Sequence, residues 1–142
     1  LFSVARIHIS ASLRSLVLER AAGRCEYCLI HQDDNWWRHQ IDHIIPVVHE
    51  GKTSENNLAL ACARCNLNKG SNLSGIDPIS GRIVTLFHPR RQQWKTHFEI
   101  EGAIIVGRTA TGRASVRLLR MNETERVNER LRLQAIDHYP AG

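Results

Sequence analysis

The chain has 142 residues, which suits one compact domain and is too short for two independent domains of typical size. No apolar stretch approaches the length of a membrane span, so the sequence excludes a membrane-spanning protein and predicts no membrane partner. The formal charge of +5 is uneven, because residues 1–80 carry eight basic and eight acidic side chains whereas residues 81–142 carry eleven and six. This Arg-rich excess favours a polyanionic partner, with a solvated basic surface that binds nothing as the equal alternative.

Residues 1–6 have no charged start followed by an uninterrupted apolar core, as a secretory signal would. A cytoplasmic location is therefore expected. The first residue is not Met, so a leader removed ahead of Leu1 is the open alternative.

The first predicted helix covers residues 10–23. Ser10 or Ser12 is the expected N-cap, and Gly23 is the expected stop. The apolar residues behind the cap recur at helical spacing: Leu13, Leu16, Val17 and Ala21.

A strand, a loop, a second strand and a short helix are predicted next. β-branched residues favour a strand between Trp37 and Val48, ending near Pro46. A polar loop over residues 50–57 precedes a second strand at 58–61. A short helix over 63–69, closed by Gly70, completes this unit.

The remaining residues predict a looser extension. Residues 71–81 read as a linker rich in Gly, Asp, Pro and Ser. Residues 82–87 and 98–108 alternate as a hairpin or paired strands would, and Pro89 is suited to begin a short helix between them.

A final helix is predicted after residue 122. Asn122 and Glu125 form the pattern of a capping box. The helix is expected to bury Val127, Leu131 and Ala135 along one face.

The four cysteines fall in two CxxC pairs, Cys25/Cys28 and Cys62/Cys65, separated by 33 residues. Two such pairs present four thiolates tetrahedrally to zinc, so the sequence predicts a structural Zn²⁺. The alternatives are disulfides and a redox CxxC, which fit poorly without a secretion signal or a thioredoxin-like pattern. With four sulfur ligands the predicted zinc has no open position for catalysis.

Between the cysteine pairs lies a set of residues with catalytic chemistry. Asp42 and Asn66 offer the oxygen ligands that a hard divalent ion such as Mg²⁺ or Mn²⁺ prefers. His43 titrates near neutral pH and can take a proton from water. Phosphodiester hydrolysis needs both a nucleophile formed in place and positive charge at the developing oxyanion. The alternative is that His43 is a surface or packing residue and that Asn57 only turns a loop.

The segment from Arg24 to Gly70 resembles the HNH endonuclease family in its cysteine-flanked form. The resemblance rests on the first CxxC, on Asp42-His-Ile-Ile-Pro46, on Asn57-Leu58, and on Cys62-Ala-Arg-Cys-Asn66 followed by Lys69. It implies the ββα-metal fold and metal-dependent hydrolysis of DNA, most simply double-stranded, that leaves a 3′-hydroxyl and a 5′-phosphate.

The resemblance also implies a role for each motif residue. His43 corresponds to the general base, Asp42 to a ligand of the catalytic metal, and Asn57 to the Asn that braces the loop and orients the base. Asn66 takes the last motif position, where the family often has His, and would also ligate the metal. His49-Glu-Gly-Lys52 departs from the two glycines that many relatives carry, and His49 is a candidate of second rank.

Asp42 and His43 are neighbours in a predicted strand, where adjacent side chains point to opposite faces. Both can serve one site only if the strand twists or ends there, and Pro46 favours an end.

The basic C-terminal part carries the predicted phosphate contacts. Segments such as residues 86–91 and 109–114 resemble extensions attached to bacterial HNH proteins. Contacts of this kind position a duplex without reading its bases. The candidates for nucleic-acid binding are Lys69, Arg90, Arg91, Arg108 and Arg113.

Together these features predict an α+β fold whose ββα core is stapled by a four-cysteine zinc, with an N-terminal helix and a C-terminal strand and helix extension. Residues 1–75 form the helix and nuclease core, and residues 76–142 the basic extension, packed as one folding unit. The main alternative function is a non-catalytic, zinc-stabilised nucleic-acid-binding module. A zinc-ribbon interaction domain would leave Asp42 and His43 without a purpose.

Overall fold

The computed structural model describes residues 7–140, so the prediction about a signal in residues 1–6 lies outside the described residues. The fold is mixed α and β, with three separate two-stranded antiparallel hairpins and five α-helices in the described part. No helix in residues 7–140 combines the length and apolar character needed to cross a membrane.

The first hairpin and the helix after it form the predicted ββα unit. β1 (Gln40–His43) pairs with β2 (Leu58–Ala61), with Asp42 opposite Ala59. α2 (Ala63–Lys69) begins directly after β2 with Cys62 as its N-cap and ends at Gly70. The second strand and this helix confirm the sequence prediction, whereas the first strand is shorter than predicted. It begins after Trp36 and Trp37, which lie in a loop and are 87% and 66% exposed.

Two apolar clusters cover the two faces of this hairpin. α1 (Ala11–Arg20) packs on one face, where Val17 contacts Leu58 and Leu60. The helix confirms the prediction, since the Ser10 hydroxyl caps it by accepting from the Leu13 amide. Ala59 and Ala61 point to the other face and join the main core with the cysteines. Alternation along β2 therefore divides the structure into a small and a large apolar layer.

Two hairpins form the extension, and neither pairs as the sequence suggested. β3 (Ser74–Ile76) lies within the predicted linker and pairs with β4 (Ile83–Thr85). β5 (Phe98–Glu101) and β6 (Ile104–Gly107) close on each other through a turn at Gly102. The predicted pairing of residues 82–87 with residues 98–108 is wrong, because each segment finds a nearer partner along the chain.

The helices of the extension also differ from prediction. Pro89 lies in a turn, and α3 is a single helical turn at Trp94–His97. The sequence did not indicate α4 (Ala110–Leu118), which begins at Thr109, whose hydroxyl accepts from the Gly112 amide.

α5 (Thr124–Ala135) is the predicted last helix, but its buried face is not the predicted one. Leu131 is 51% exposed, whereas Arg126, Arg130 and Leu133 are buried. The predicted capping box does not form, because the Asn122 side chain binds the backbone of Ile105 on β6 instead. Each buried arginine has a polar partner in the interior, and these interactions outweigh the apolar spacing on which the prediction rested.

The main core is shared by both parts of the chain. Its buried members include the four cysteines and Tyr27 from the first part, and from the second part Phe87, Phe98, Ile105, Leu119, Met121, Leu133 and Tyr139. The boundary expected at residue 75 falls inside β3. This shared core is what a single folding unit requires.

Candidate functional site

The four cysteines form one buried cluster. Their sulfur atoms lie within 4.8 Å of one another, and Cys28 Sγ is 3.7 Å from Cys62 Sγ. Four sulfurs placed tetrahedrally at the usual Zn–S distance are roughly 3.8 Å apart. No other group of three or more His, Cys, Asp or Glu side chains within residues 7–140 meets the same test. The cluster therefore fits a structural zinc.

Local structure presents the sulfurs inward. Cys25 Sγ accepts from the Cys28 amide and Cys62 Sγ from the Cys65 amide, each at 3.4 Å. In the first pair the turn closes at Leu29, whose φ is +70°, and in the second the first turn of α2 makes the bend. Burial raises the pKa of the Cys25 thiol, so the thiolate form needs a neighbouring positive charge.

The last helix provides one such positive charge. Arg126 on α5 is 3% exposed, and its Nη2 lies 3.0 Å from Cys65 Sγ and 3.9 Å from Cys62 Sγ. Its Nη1 donates to the carbonyl of Leu119. Burial alone disfavours the guanidinium charge, but the nearby thiolates raise the pKa of Arg126 above its ordinary value. The extension thus supplies a cation to the cysteine cluster.

Asp42 lies at the centre of a buried polar network on the side of β1 that faces α2. It is 5% exposed, its Oδ2 accepts from the Tyr27 hydroxyl at 2.7 Å, and its Oδ1 accepts from Lys69 Nζ at 3.1 Å. Lys69 also donates to the carbonyl of His43 at 3.1 Å. Burial raises the pKa of Asp42, although Lys69 and Tyr27 act in the opposite direction. Holding an ionised carboxylate here costs stability, which is typical of functional groups.

His43 is the last residue of β1, so the strand ends where the sequence required it to end. Strand alternation turns its ring away from Asp42, and His43 Nε2 lies 2.8 Å from Thr53 Oγ1. Burial lowers the pKa of His43, with Asp42 raising it and Lys69 lowering it. The imidazole is therefore neutral at neutral pH and able to accept a proton.

Asn57 joins the two sides of the loop that follows His43. Its Oδ1 accepts from the Ile45 amide, and its Nδ2 donates to the carbonyls of Ile45 and Lys52, all within 2.8–2.9 Å. Gly51 passes so close that a Cβ there would lie 1.7 Å from the Ile45 carbonyl oxygen. Asn57 thus holds the two sides of the loop together but forms no hydrogen bond with the His43 ring, and its role in orienting the base stays a prediction.

Asn66 lies on α2, and its Nδ2 donates to the side chain of Gln40 at the start of β1. Its Oδ1 is the atom left for another ligand. An amide oxygen and the Asp42 carboxylate are donors that a hard divalent ion accepts, and Mg²⁺ commonly completes so small a protein set with water and substrate phosphate. These donor types suit such an ion, but in the structure Asn66 contacts Gln40, whereas Asp42 accepts one hydrogen bond on each oxygen, from Tyr27 and Lys69. Their shared role at a metal stays a prediction.

The predicted nucleic-acid contacts fall in different environments. Lys69 is 2% exposed and lies within the Asp42 network rather than on the surface. Arg90 pairs with Glu26, and Arg113 forms a two-pronged pair with Asp77 at 2.8 and 2.9 Å. Arg91 and Arg108 are the exposed members, and Arg108 donates to the carbonyl of Lys95. His49 is exposed, and its Nε2 lies 3.1 Å from the Ser71 carbonyl oxygen.

Several residues of the site escaped the sequence analysis. Tyr27, Thr53 and Arg126 carry no motif of their own. Tyr27 could have been noticed in the sequence, because a CxxC turn does not require an aromatic residue at that position. Arg126 had no signal, because its contact with Cys65 spans 61 positions along the chain.

The β-hairpin, the following helix and the four-thiol cluster form a ββα unit beside a site that could hold a structural zinc. Residues 25–72, about a third of the chain, match the family model of HNH endonucleases. This family points to a nuclease that binds nucleic acid and uses a divalent metal. No curated protein matches the chain.

Proposed function

We propose that the protein is a metal-dependent endonuclease that hydrolyses DNA phosphodiester bonds and leaves a 3′-hydroxyl and a 5′-phosphate. The observation that carries the proposal is that His43, partly buried at the end of β1, directly follows the buried Asp42, and that Lys69 donates to both residues, all within the matched segment. Double-stranded DNA is the proposed substrate, and Mg²⁺ or Mn²⁺ is the proposed catalytic ion.

In the proposed reaction, His43 prepares the nucleophile. If Nε2–H donates to Thr53 Oγ1, then Nδ1 carries the lone pair and takes a proton from water. The water oxygen attacks phosphorus, the bond from phosphorus to the 3′-oxygen breaks, and that oxygen leaves with a proton from solvent. Thr53 holds the ring so that Nδ1 keeps its aim throughout.

Groups on the α2 side of the site would neutralise the negative charge of the phosphate. Asp42 and Asn66 would hold a divalent ion, which when bound would supply positive charge to the scissile phosphate. Lys69 favours the ionised form of Asp42 against the effect of burial and links it to the His43 backbone, with 3.1 Å at each contact. Tyr27 fixes the second carboxylate oxygen. Lys69 and Tyr27 are positioning residues in this proposal.

A non-catalytic, zinc-stabilised nucleic-acid-binding module is the second candidate. It is favoured by one observation, namely that both oxygens of Asp42 are engaged and the side chain is 5% exposed. An Asp42 that serves only to anchor Lys69 and Tyr27 would leave the protein able to bind nucleic acid without cutting it.

Plasmid cleavage distinguishes the two candidates. Zinc-loaded protein is dialysed free of other metals and incubated with supercoiled plasmid, alone and with added Mg²⁺ or Mn²⁺. We expect nicked or linear DNA only with the added ion, and ligatable 5′-phosphate ends. Because EDTA also removes structural zinc, dialysis is preferable to chelation, and zinc content is measured after each reaction. Binding without cutting under every metal condition would favour the second candidate.

A further inference from the structure

A cleft lies between the HNH segment and the extension, beside the end of β1. Its volume is about 270 Å³, slightly below the usual range for small-molecule pockets of about 300–1,000 Å³. Ile44 and Ile45, the two residues after His43, line one side, and Leu86 and Phe87 line the other. The space is open to solvent, mostly apolar, and sized for a single planar group rather than a duplex.

The cleft shares one residue, Lys69, with the candidate catalytic site. Lys69 lines it and also donates to Asp42 and to the His43 carbonyl. A group in the cleft would therefore contact residues that lie close to His43, the proposed general base, along the chain. This position favours a part of the nucleic-acid substrate as the occupant over an unrelated small molecule.

His88 and Arg91 are two of the hydrogen-bond donors that line the cleft. His88 is 9% exposed, and its Nδ1 accepts from the Arg90 amide at 3.2 Å. A ring nitrogen that accepts has no proton, so neutral His88 carries its proton on Nε2. Arg91 is exposed, and its guanidinium pairs with no carboxylate in residues 7–140. Among the lining residues there is no acidic side chain to oppose an anion.

We infer that this cleft holds one extrahelical nucleotide of the substrate strand, with its base against the partly exposed side chains of Ile45 and Leu73 and its phosphate against Arg91 and His88. The inference rests on the proposed function and narrows its substrate. A base stacked in a duplex cannot enter a cleft of this kind, whereas an unpaired, mismatched or otherwise weakened base leaves the stack at lower cost. Nucleic acid with an unpaired base beside the scissile bond is thus the favoured substrate.

Binding is tested first, without catalysis. Calorimetric titration of zinc-loaded protein uses four deoxynucleoside 5′-monophosphates, inorganic phosphate and an uncharged deoxynucleoside. We expect at least one monophosphate to bind more tightly than either inorganic phosphate or the nucleoside. Arg91→Ala should weaken that binding about 10- to 100-fold, as expected for a hydrogen-bonded charge. Arg132→Ala is the matched control, because Arg132 is exposed on α5 and does not line the cleft.

Cleavage is tested second, on a duplex with one unpaired base and on its fully paired counterpart. We expect the unpaired substrate to be cut faster, and Thr85→Trp, which fills the cleft from β4, to abolish that preference. Ile83→Trp is the control on the same strand, since Ile83 is 76% exposed and outside the cleft.

The outcomes separate the two hypotheses. Monophosphate binding that depends on Arg91, in a protein that cuts no DNA, would support the proposed nucleotide site and contradict the proposed nuclease activity. Cleavage with equal rates on both duplexes, unaffected by Thr85→Trp, would overturn the proposed nucleotide site and leave the proposed nuclease activity in place. Equal binding of monophosphates and inorganic phosphate would likewise overturn it.

Discussion

Tyr27 lies between two cysteines of the metal cluster, and its hydroxyl donates to Asp42 Oδ2 at 2.7 Å. The same CxxC turn therefore holds both the thiol cluster and the carboxylate of the candidate site. Tyr27 is 1% exposed, so this contact is shielded from water. Loss of the ion would loosen the turn and release Asp42, which makes the structural metal a condition for the proposed chemistry.

His43→Ala should abolish most cleavage while leaving the fold intact. A positioned general base contributes about 10² to 10⁴ in rate, and the ring is only partly buried. Rates are measured on plasmid DNA at saturating Mg²⁺, with zinc content and DNA affinity checked in parallel. Thr53→Val should cost less, since it leaves the imidazole in place but removes its 2.8 Å partner. A zinc-loaded His43→Ala protein that cuts at the parent rate would sink the assignment.

Lys69→Met should be strongly destabilising. The ammonium is 2% exposed and bound to a carboxylate that is 5% exposed, so its removal leaves an unpaired buried charge. Breaking such a pair costs about 3–5 kcal/mol in the free energy of unfolding. Chemical denaturation measures the loss, and the double variant Lys69→Met/Asp42→Asn should recover part of it while remaining inactive. An additive double variant would show that the two residues are not coupled.

Arg126→Met should weaken zinc binding without removing a ligand. Substituting a partner of a metal ligand typically lowers metal affinity about 10- to 100-fold, and Arg126 Nη2 is 3.0 Å from Cys65 Sγ. Competition with a chromophoric chelator gives the zinc affinity, and thermal unfolding shows its effect on the fold. Arg132→Met on the same helix is the control. Cys62→Ser, which removes a sulfur ligand outright, should lose soluble protein or most thermal stability. Identical zinc affinity in Arg126→Met and the parent would contradict a role at the metal.

Asp77→Asn should destabilise the protein at neutral pH, with a penalty that shrinks in acid. The Arg113 guanidinium, followed by Ser80, lowers the pKa of Asp77 below its ordinary value of 3.8. A carboxylate with a depressed folded-state pKa stabilises the fold above its unfolded pKa, and this contribution disappears as the pH falls through the folded one. Urea denaturation of parent and variant should therefore differ most above pH 4 and converge below it. A difference that is constant with pH would exclude the ion pair as its source.

Local patterns predicted much of the ββα unit and of the helix before it. α1, β2 and α2 follow from a serine cap, a short apolar run and a glycine stop, each encoded by residues within a few positions of one another. The cysteine cluster could also be predicted, because metal geometry converts two short spacings into a long-range contact. In the extension the same reasoning failed at α4, where Gly112 sits in the first helical turn and lowers the apparent helix propensity.

The last helix shows where local rules fail most clearly. Its apolar spacing pointed to Leu131, yet the structure buries Arg126 and Arg130. Arg130 donates to the Ala103 carbonyl, and Arg126 reaches the thiols and two carbonyls. Partners of this kind lie on distant segments, so no window of sequence contains them.

The sequence alone determined which chemical groups this protein has: four thiols at the spacing of metal ligands, and His43, Asp42, Asn57 and Asn66 in one segment between and beside them. Only the tertiary structure decided their environment, such as the burial of Lys69 against Asp42 and the withdrawal of Arg113 into a pair with Asp77. The physical reason is that motif spacing is set by short loops and metal geometry. Burial and charge pairing depend on which distant segments the folded chain brings into contact.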